Sequence, residues 1–502
     1  MKKIFITLTV VCLTLISCFK DDTTLGINPI SEIVIDSTSI HEVYNINKND
    51  TLVITPCISQ TGDVLDVFYT WEIDLKAYSN EPSFVYVGKE LGTFHCRLIV
   101  ENSDGKSFYP FVLHVNSPYE EGITVISRDG DGTAMLSFML TPPDGSAPTG
   151  FMTGDQFSVN NTDVAFAANP TDIVQSSGSL IISCRGTDDN TSSATIYYLN
   201  EKTFVMENML TAPEYPDFRP TQMGIPSIGS SGVAYPVLCE GGHVYEFSTT
   251  EGALAKPVKL PYTYAQTTVI SDGGSAGNYN LLYWDLNKNA LCMIYRGYGP
   301  YYCSKTYHLG REECVGTANF FNGHTIRKMV LVRLTDDQRR SGINPEVLVL
   351  TNNVAGLHYK SQLSVDFWEY NFETSENVLV DNGGYKMCGI GQLSLSESTP
   401  CVANRTYYSL LFAEGNKVRR WNYTSSQHVT AADVLQTIGS DKAIITALEL
   451  SADHTKTYVA FYEPEMDGLN GSVWVIDTDK GTVLEKYDNV CYQPVKIMYK
   501  KK

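Results

Sequence analysis

From about residue 32 the chain is a succession of short apolar segments divided by polar turns. Val67, Tyr69, Trp71 and Ile73 occupy alternate positions, and so do Phe94, Cys96, Leu98 and Val100. A period of two sets each group on one face of a strand. Beyond Asn116-Ser117-Pro118 a different unit recurs: paired apolar strands, a polar turn, then another strand. It appears at 179–200, 233–260, 279–295, 346–370, 407–423 and 443–487. In the last, the strand Thr457 to Tyr462 is followed by Gly471-Ser472-Val473-Trp474-Val475-Ile476-Asp477 and a turn at Gly481. Few helices are expected; Thr430 to Gln436 is one candidate, with Thr430 as N-cap.

The first residues have another pattern. Lys2 and Lys3 precede an apolar run from Ile4 to Ile16, the length of a signal-peptide core and too short to span a bilayer. Leu15-Ile16-Ser17-Cys18 resembles a bacterial lipobox, and Lys20-Asp21-Asp22 is similar to the surface-export signal of Bacteroidetes lipoproteins. The resemblance implies cleavage of 1–17, lipid such as palmitate on Cys18, and an outer-membrane, cell-surface location. Several acyl chains, at about 0.8 kcal/mol per buried methylene, anchor a protein without a spanning helix. Residues 18–31 form the lipidated start and a flexible tether.

Cys57, Trp71 and Cys96 stand in the order of an immunoglobulin-like sandwich. The stretch Phe68 to Asp74, with Gly92-Thr93-Phe94 and Val100 to Gly105, resembles the PKD-like domain of Bacteroidetes lipoproteins. That resemblance implies a spacer domain over 32–117 and a disulfide between Cys57 and Cys96. The repeating unit of 118–502 is similar to the blade of extracytoplasmic β-propellers. Val495 to Tyr499 at one end and Ile123 to Ser127 at the other are expected to share a blade, which removes an exposed edge. The expected fold is therefore all-β, an N-terminal sandwich followed by a propeller of seven blades. Six or eight blades, and an array of sandwiches, are the rivals.

Composition narrows the chemistry. The formal charge of −19, without any long Lys/Arg run, argues against nucleic acid and anionic lipid as partners. Ten of the 12 cysteines remain once Cys12 and Cys18 are set aside. They could form up to five disulfides or stay as buried thiols, and Cys303 and Cys314 could clip the loop between them. No Cys-x-x-Cys, His-Glu-x-x-His or phosphate loop occurs, so neither a metal, a cofactor nor a catalytic residue is assigned. Gly273-Gly274-Ser275-Ala276-Gly277 has the letters of a nucleophile elbow, but a strand follows where that motif needs a helix. Asp129-Gly130-Asp131-Gly132 suits a hairpin turn better than a calcium loop, since no Glu stands at the twelfth position.

Candidate binding residues come from the 31 tyrosines. The run Tyr295 to Cys303, broken by Gly297, Gly299 and Pro300, offers Tyr298, Tyr301 and Tyr302, whose rings suit sugar faces or peptide backbones. The rival is that these rings pack inside the fold. The overall resemblance is to PKD-like lipoproteins encoded beside Sus-type uptake systems. It implies an accessory subunit of a TonB-dependent transporter and its substrate-binding lipoprotein, capturing oligopeptides or glycans. A propeller enzyme acting on surface glycans, or a purely structural subunit, are the alternatives. Cys18→Ala is expected to move the protein from the membrane to the soluble fraction in cell fractionation; retention at the membrane would refute lipid anchoring.

Overall fold

The computed structural model describes residues 30–141, 148, 150–176, 178–224, 234–248, 253–254, 258–259, 265, 267–272, 279–286, 290–295, 306–308, 323–343, 345–356, 358–364, 368–371, 376–379, 388–389, 394–424 and 434–502. Two compact units divide the chain, Met1–Ser117 and Pro118–Lys502. Cys18 lies outside the described residues.

The first unit is a sandwich. Its larger sheet runs in the order Val43–Asn47, Lys106–Asn116, Gly92–Glu101, Phe68–Ile73, Lys76–Ser79, with the first pair parallel and the rest antiparallel. Two ribbons complete it, Ile33–Ile35 with Ile58–Gln60 and Thr51–Ile54 with Phe84–Val87. The alternation seen in sequence fills one core: Trp71, Phe84, Leu98, Val100 and Leu113 are wholly buried. The Trp71 indole donates its N–H to the Glu81 carbonyl at 2.9 Å, so its polar atom is satisfied.

The expected Cys57–Cys96 disulfide is not formed; both are free thiols. Cys57 is exposed just ahead of Ile58–Gln60, where its N–H donates to Ser39 Oγ at 2.9 Å. Cys96 is buried in Gly92–Glu101, opposite Ile73 and Phe111. Aromatic rings fill the place a disulfide would take against the indole: Phe84 and Phe111 lie 5.1 and 6.1 Å from Trp71, centroid to centroid.

The second unit is a β-propeller. Pro170–Ser176, Ser179–Cys184, Thr195–Asn200 and Met206–Thr211 make a four-stranded antiparallel sheet in chain order. Val269–Asp272, Tyr279–Asp285, Ala290–Tyr295 and Thr306–His308 make another, as do Ile444–Leu450, Lys456–Tyr462, Gly471–Asp477 and Val483–Cys491. Pro220–Met223, Ala234–Cys239 and His243–Ser248 form the core of a fourth sheet, of five strands. Cys401–Asn404 to Val434–Thr437 and His324–Arg333 with Glu346–Asn353 and His358–Ser364 join into one eight-stranded sheet, through the parallel pair Val332–Ala403. Val434 to Gln436, expected in a helix, are therefore in a strand. Leu435 packs on the apolar cluster between this sheet and the next, and that burial outweighs the local helical spacing.

Each sheet sends alternate side chains to two different neighbours. Leu180, Ile182 and Cys184 meet Ile126, Leu136 and Phe138 of the sheet before; Ile181 meets Val237 and Tyr245 of the sheet after. Burial on both faces explains the nearly continuous apolar runs in the sequence. The innermost strands stand side by side: Gln493–Lys500 next to Pro170–Ser176, then Pro220–Met223; Val269–Asp272 next to His324–Arg333, then Cys401–Asn404, Ile444–Leu450 and again Gln493–Lys500. Thr268 Oγ1 donates to Gln222 Oε1 at 2.5 Å and joins the two series.

The ends meet as expected. Gly122–Arg128 lies between Ala134–Leu140 and Gln493–Lys500, antiparallel to both. A Cβ at Gly122 would run into the Met139 carbonyl, so the middle strand of this sheet admits only glycine there. Two one-turn helices decorate the ring, Gln156–Asn160 capped by Asp155 and Asp336–Arg340 capped by Thr335 with Gln338 in a capping box.

Asp172 ties three innermost strands at one point. Its side chain is 3% exposed; Oδ1 accepts from Lys496 Nζ at 3.1 Å, and Oδ2 accepts from the Met223 N–H at 2.8 Å. Asp172→Ala leaves that buried N–H without an acceptor, a cost of about 1–3 kcal/mol. Lys496 keeps access to water and adds little. A lower urea midpoint with an unchanged slope is expected, and a smaller loss for Asp172→Asn; an unaltered midpoint would contradict the tie.

Candidate functional site

The two ends of the ring differ. At the end where the innermost strands finish, Lys501 crosses between distant sheets. Its backbone exchanges two 2.7 Å hydrogen bonds with the Gln175 side chain, and its Nζ meets Asp336 Oδ1 at 2.6 Å. Lys500 is buried here, its Nζ donating to the Glu120 carbonyl, and Lys502 pairs with Glu120 at 2.9 Å. Arg405 pairs with Glu346 at 2.7 Å, and Arg333 stands 3.6 Å from Glu449. The charges at this end are matched inside the protein.

The opposite end, where the innermost strands begin, holds a depression of about 500 Å³. It is lined by Ala265, Leu286, Ile326, Arg327, Ser396, Glu397 and Ser398. Ala265 and Ile326 are buried and Leu286 is exposed, so the lining includes an apolar surface. A turn supplies the polar rim: Ser396 N–H donates to Thr399 Oγ1 at 2.9 Å, and the Ser396 and Ser398 hydroxyls are 3.2 Å apart. Arg327 Nε is buried with no hydrogen-bond partner, and no carboxylate among the described residues forms an ion pair with it. Lys328 Nζ donates to the Glu397 carbonyl. Among the described residues the lining thus holds one cation, Arg327, and one carboxylate, Glu397, with Lys328 alongside, and Arg327 Nε is unmatched.

The other arginines of this end are tied down. Arg185 pairs with Glu240 at 2.5 Å and Asp188 at 2.6 Å. Arg219 donates to the Thr187 carbonyl at 2.7 Å and to Asn190 at 3.0 Å. Asp129 closes the hairpin turn expected of it, its Oδ1 accepting from the Asp131 and Thr133 N–H groups at 2.9 and 2.8 Å. Among the described residues no group of three His, Cys, Asp or Glu side chains is placed to hold a metal ion. The sandwich has its own open depression, about 640 Å³, along Tyr78, Ser79, Glu81, Pro82, Ser83 and Val85.

Nucleophilic chemistry finds no support among the buried thiols. Burial pushes Cys96 up to about 12 and raises Cys184, Cys239 and Cys491 further, so none is a thiolate near neutral pH. Tyr298, Tyr301, Tyr302 and Cys303 fall between Ala290–Tyr295 and Thr306–His308, and Cys314 follows them; all lie outside the described residues. So does the Gly273–Gly277 run, but its flanking strands pair directly, Asp272 with Tyr279, which is the context of a hairpin rather than an elbow. Trp421 is buried in the core. The depression at Arg327 was missed by sequence reasoning. Its parts come from four separated segments, and only alignment of the innermost strands with one another would have singled Arg327 out.

No family model matches the chain, and no curated protein matches it. Among solved structures it is similar to a quinoprotein alcohol dehydrogenase-like protein from Bacteroides thetaiotaomicron, with 15% identity, 93% of this chain and 99% of that one covered, and a TM-score of 0.48. It is also similar to a β-propeller domain from Myceliophteria thermophila, with 9% identity, coverage of 63% and 88%, and a TM-score of 0.36.

One titrating group stands out at the closed end. His454 is 4% exposed, with Nδ1 3.1 Å from Thr406 Oγ1. Burial, reinforced by Arg333, Lys501 and Arg339 and opposed by Asp453, lowers its pKa to about 4. The unfolded chain, with an ordinary histidine near 6.5, therefore binds the extra proton first. Stability present above about pH 6.5 is lost as pH falls toward 4, with a slope of at most about 1.4 kcal/mol per pH unit. Urea midpoints measured between pH 7 and pH 4.5 are expected to fall less steeply in His454→Gln than in the parent; equal slopes would contradict the assignment.

Proposed function

We propose that this chain is a lipid-anchored protein of the bacterial outer-membrane surface that captures nutrient for a TonB-dependent, Sus-type importer. In this reading it is an accessory subunit beside the transporter and its substrate-binding lipoprotein. It binds oligopeptides or glycans at one end of a seven-bladed ring. The lipobox-like Leu15 to Cys18 and the acidic residues after Lys20 support the location. The depression at the open end of the ring is the observation that carries the binding role. It combines an apolar surface with a polar rim and an uncommitted cation, the mixture a ligand site needs. Tyr298, Tyr301 and Tyr302 are the second candidate contact.

Native outer membranes solubilised gently, with this protein as bait, test the reading. Mass spectrometry is expected to find a TonB-dependent transporter and a second lipoprotein in stoichiometric amounts. Calorimetry with peptide and glycan pools is expected to show binding that weakens when Tyr298, Tyr301 and Tyr302 are changed to Ala. Absence of any transporter, or new reaction products on incubation with the pools, would overturn the role of a non-catalytic importer subunit.

A further inference from the structure

The innermost strands share a local irregularity. On five of them the ladder skips one residue near the start: Thr171, Thr221, Arg327, Thr446 and Val495. Such a bulge gives the strand one extra residue and re-aims its side chain. At three of these positions the extra residue is threonine, and its hydroxyl donates to a carbonyl of the neighbouring strand. The partners are Ser183 at 3.2 Å, Leu238 at 3.0 Å and Ala460 at 3.4 Å. Threonine is thus the commonest residue of these bulges, and Val495 fills the same place with an apolar side chain that has no polar group to satisfy. At Arg327 a guanidinium replaces the hydroxyl. It closes no such bond, its Nε is buried without a partner, and it lines the depression.

Burying an arginine nitrogen without an acceptor costs stability, whereas the ring's own threonine would have satisfied the same turn. A bound anion removes that cost, and a planar guanidinium is matched to a carboxylate through two parallel N–H···O bonds. Lys328, held at the Glu397 carbonyl, adds a second positive charge at the same edge. Beside these cations lie Ala265, Leu286 and Ile326, which offer contact to an aliphatic side chain. Among the described residues the lining contains no aromatic ring on which a sugar face could stack.

We infer that the depression receives the C-terminal end of an oligopeptide, with its terminal carboxylate on Arg327 and an aliphatic last side chain against Ala265, Leu286 and Ile326. This rests on the capture role proposed above and names the ligand class of that site.

The test uses the full mature chain and four probes: N-acetyl-Ala-Ala-Leu as free acid, the same peptide as C-terminal amide, tri-galacturonate and maltotriose. Arg327→Thr installs the residue that three of the other four bulges carry, so the fold is expected to stand, checked by an unchanged or higher urea midpoint. Calorimetry is expected to show the free acid binding about 10- to 100-fold tighter than the amide, the range of one charge-assisted contact. Arg327→Thr should abolish that preference while leaving the amide unaffected, and Arg327→Lys should restore it only in part. Equal binding of acid and amide, or an unaffected preference in Arg327→Thr, overturns the inference. Arg327-dependent binding of tri-galacturonate without the peptide overturns the peptide assignment. If the transporter co-purifies while every probe fails, this inference falls and the importer role stands. Arg327-dependent peptide binding without any transporter gives the reverse.

Discussion

The second unit depends on one antiparallel pairing, Gln493–Lys500 against Gly122–Arg128, made across nearly the whole length of the unit. Without it, the first and last sheets would each end in an open edge, and the innermost strands would have no reason to form a circuit. The pairing also decides where the last residues go. The strand delivers Lys496 to Asp172, Lys500 to the Glu120 carbonyl and Lys501 to Gln175 and Asp336. Closure of the ring and occupation of one of its ends are therefore one event. The end that remains accessible is the one where the innermost strands begin, and that asymmetry follows from chain direction alone.

Fold was legible in the sequence wherever burial imposes a period. Alternation at Phe94, Cys96, Leu98 and Val100 predicts a one-sided strand, and Leu180 to Cys184, apolar at four of five positions, predicts a strand covered on both faces; both occur. Ring closure was legible because Ile123 to Ser127 and Val495 to Tyr499 are strand-like segments left over at opposite ends. The reading failed where one local signal stood in for a tertiary fact. The order Cys, Trp, Cys implied a disulfide, but position along a strand, not order, decides whether two sulfurs face each other. Cys57 emerges after its strand has ended and points to solvent, and Phe84 and Phe111 occupy the space beside Trp71. Val434 to Gln436 had helical spacing, but an exposed sheet edge beside Lys417–Asn422 offered more hydrogen bonds than one isolated turn.

The candidate site was hidden for another reason. A propeller repeats its geometry while its sequence drifts, so functional departures are visible only against the repeat. Arg327 is unremarkable in Ile326-Arg327-Lys328-Met329. Set beside Pro170-Thr171-Asp172-Ile173, Pro220-Thr221-Gln222-Met223 and Ile445-Thr446-Ala447-Leu448, it is the position where a short self-satisfying hydroxyl has given way to a long cation. The same comparison explains why Arg185 and Arg219 are poor candidates. Each is already held by acceptors that belong to the ring, so a ligand would have to break existing bonds before making its own.

An anion site on a chain of formal charge −19 looks contradictory until distance is considered. The repulsion of a distant anion is a sum over exposed carboxylates and is screened over about 8–10 Å at physiological salt. Attraction at Arg327 acts over a few ångströms in a partly dry depression, where screening is weak. The two effects select for charge pattern rather than net charge. A polyanion meets repulsion along its whole length and gains one contact, whereas a mostly neutral or apolar chain ending in one carboxylate meets little repulsion and gains the same contact. On a chain of net negative charge, an uncommitted guanidinium such as Arg327 thus favours a ligand with one terminal carboxylate over an acidic polymer, the kind of ligand the aliphatic side of the depression also fits.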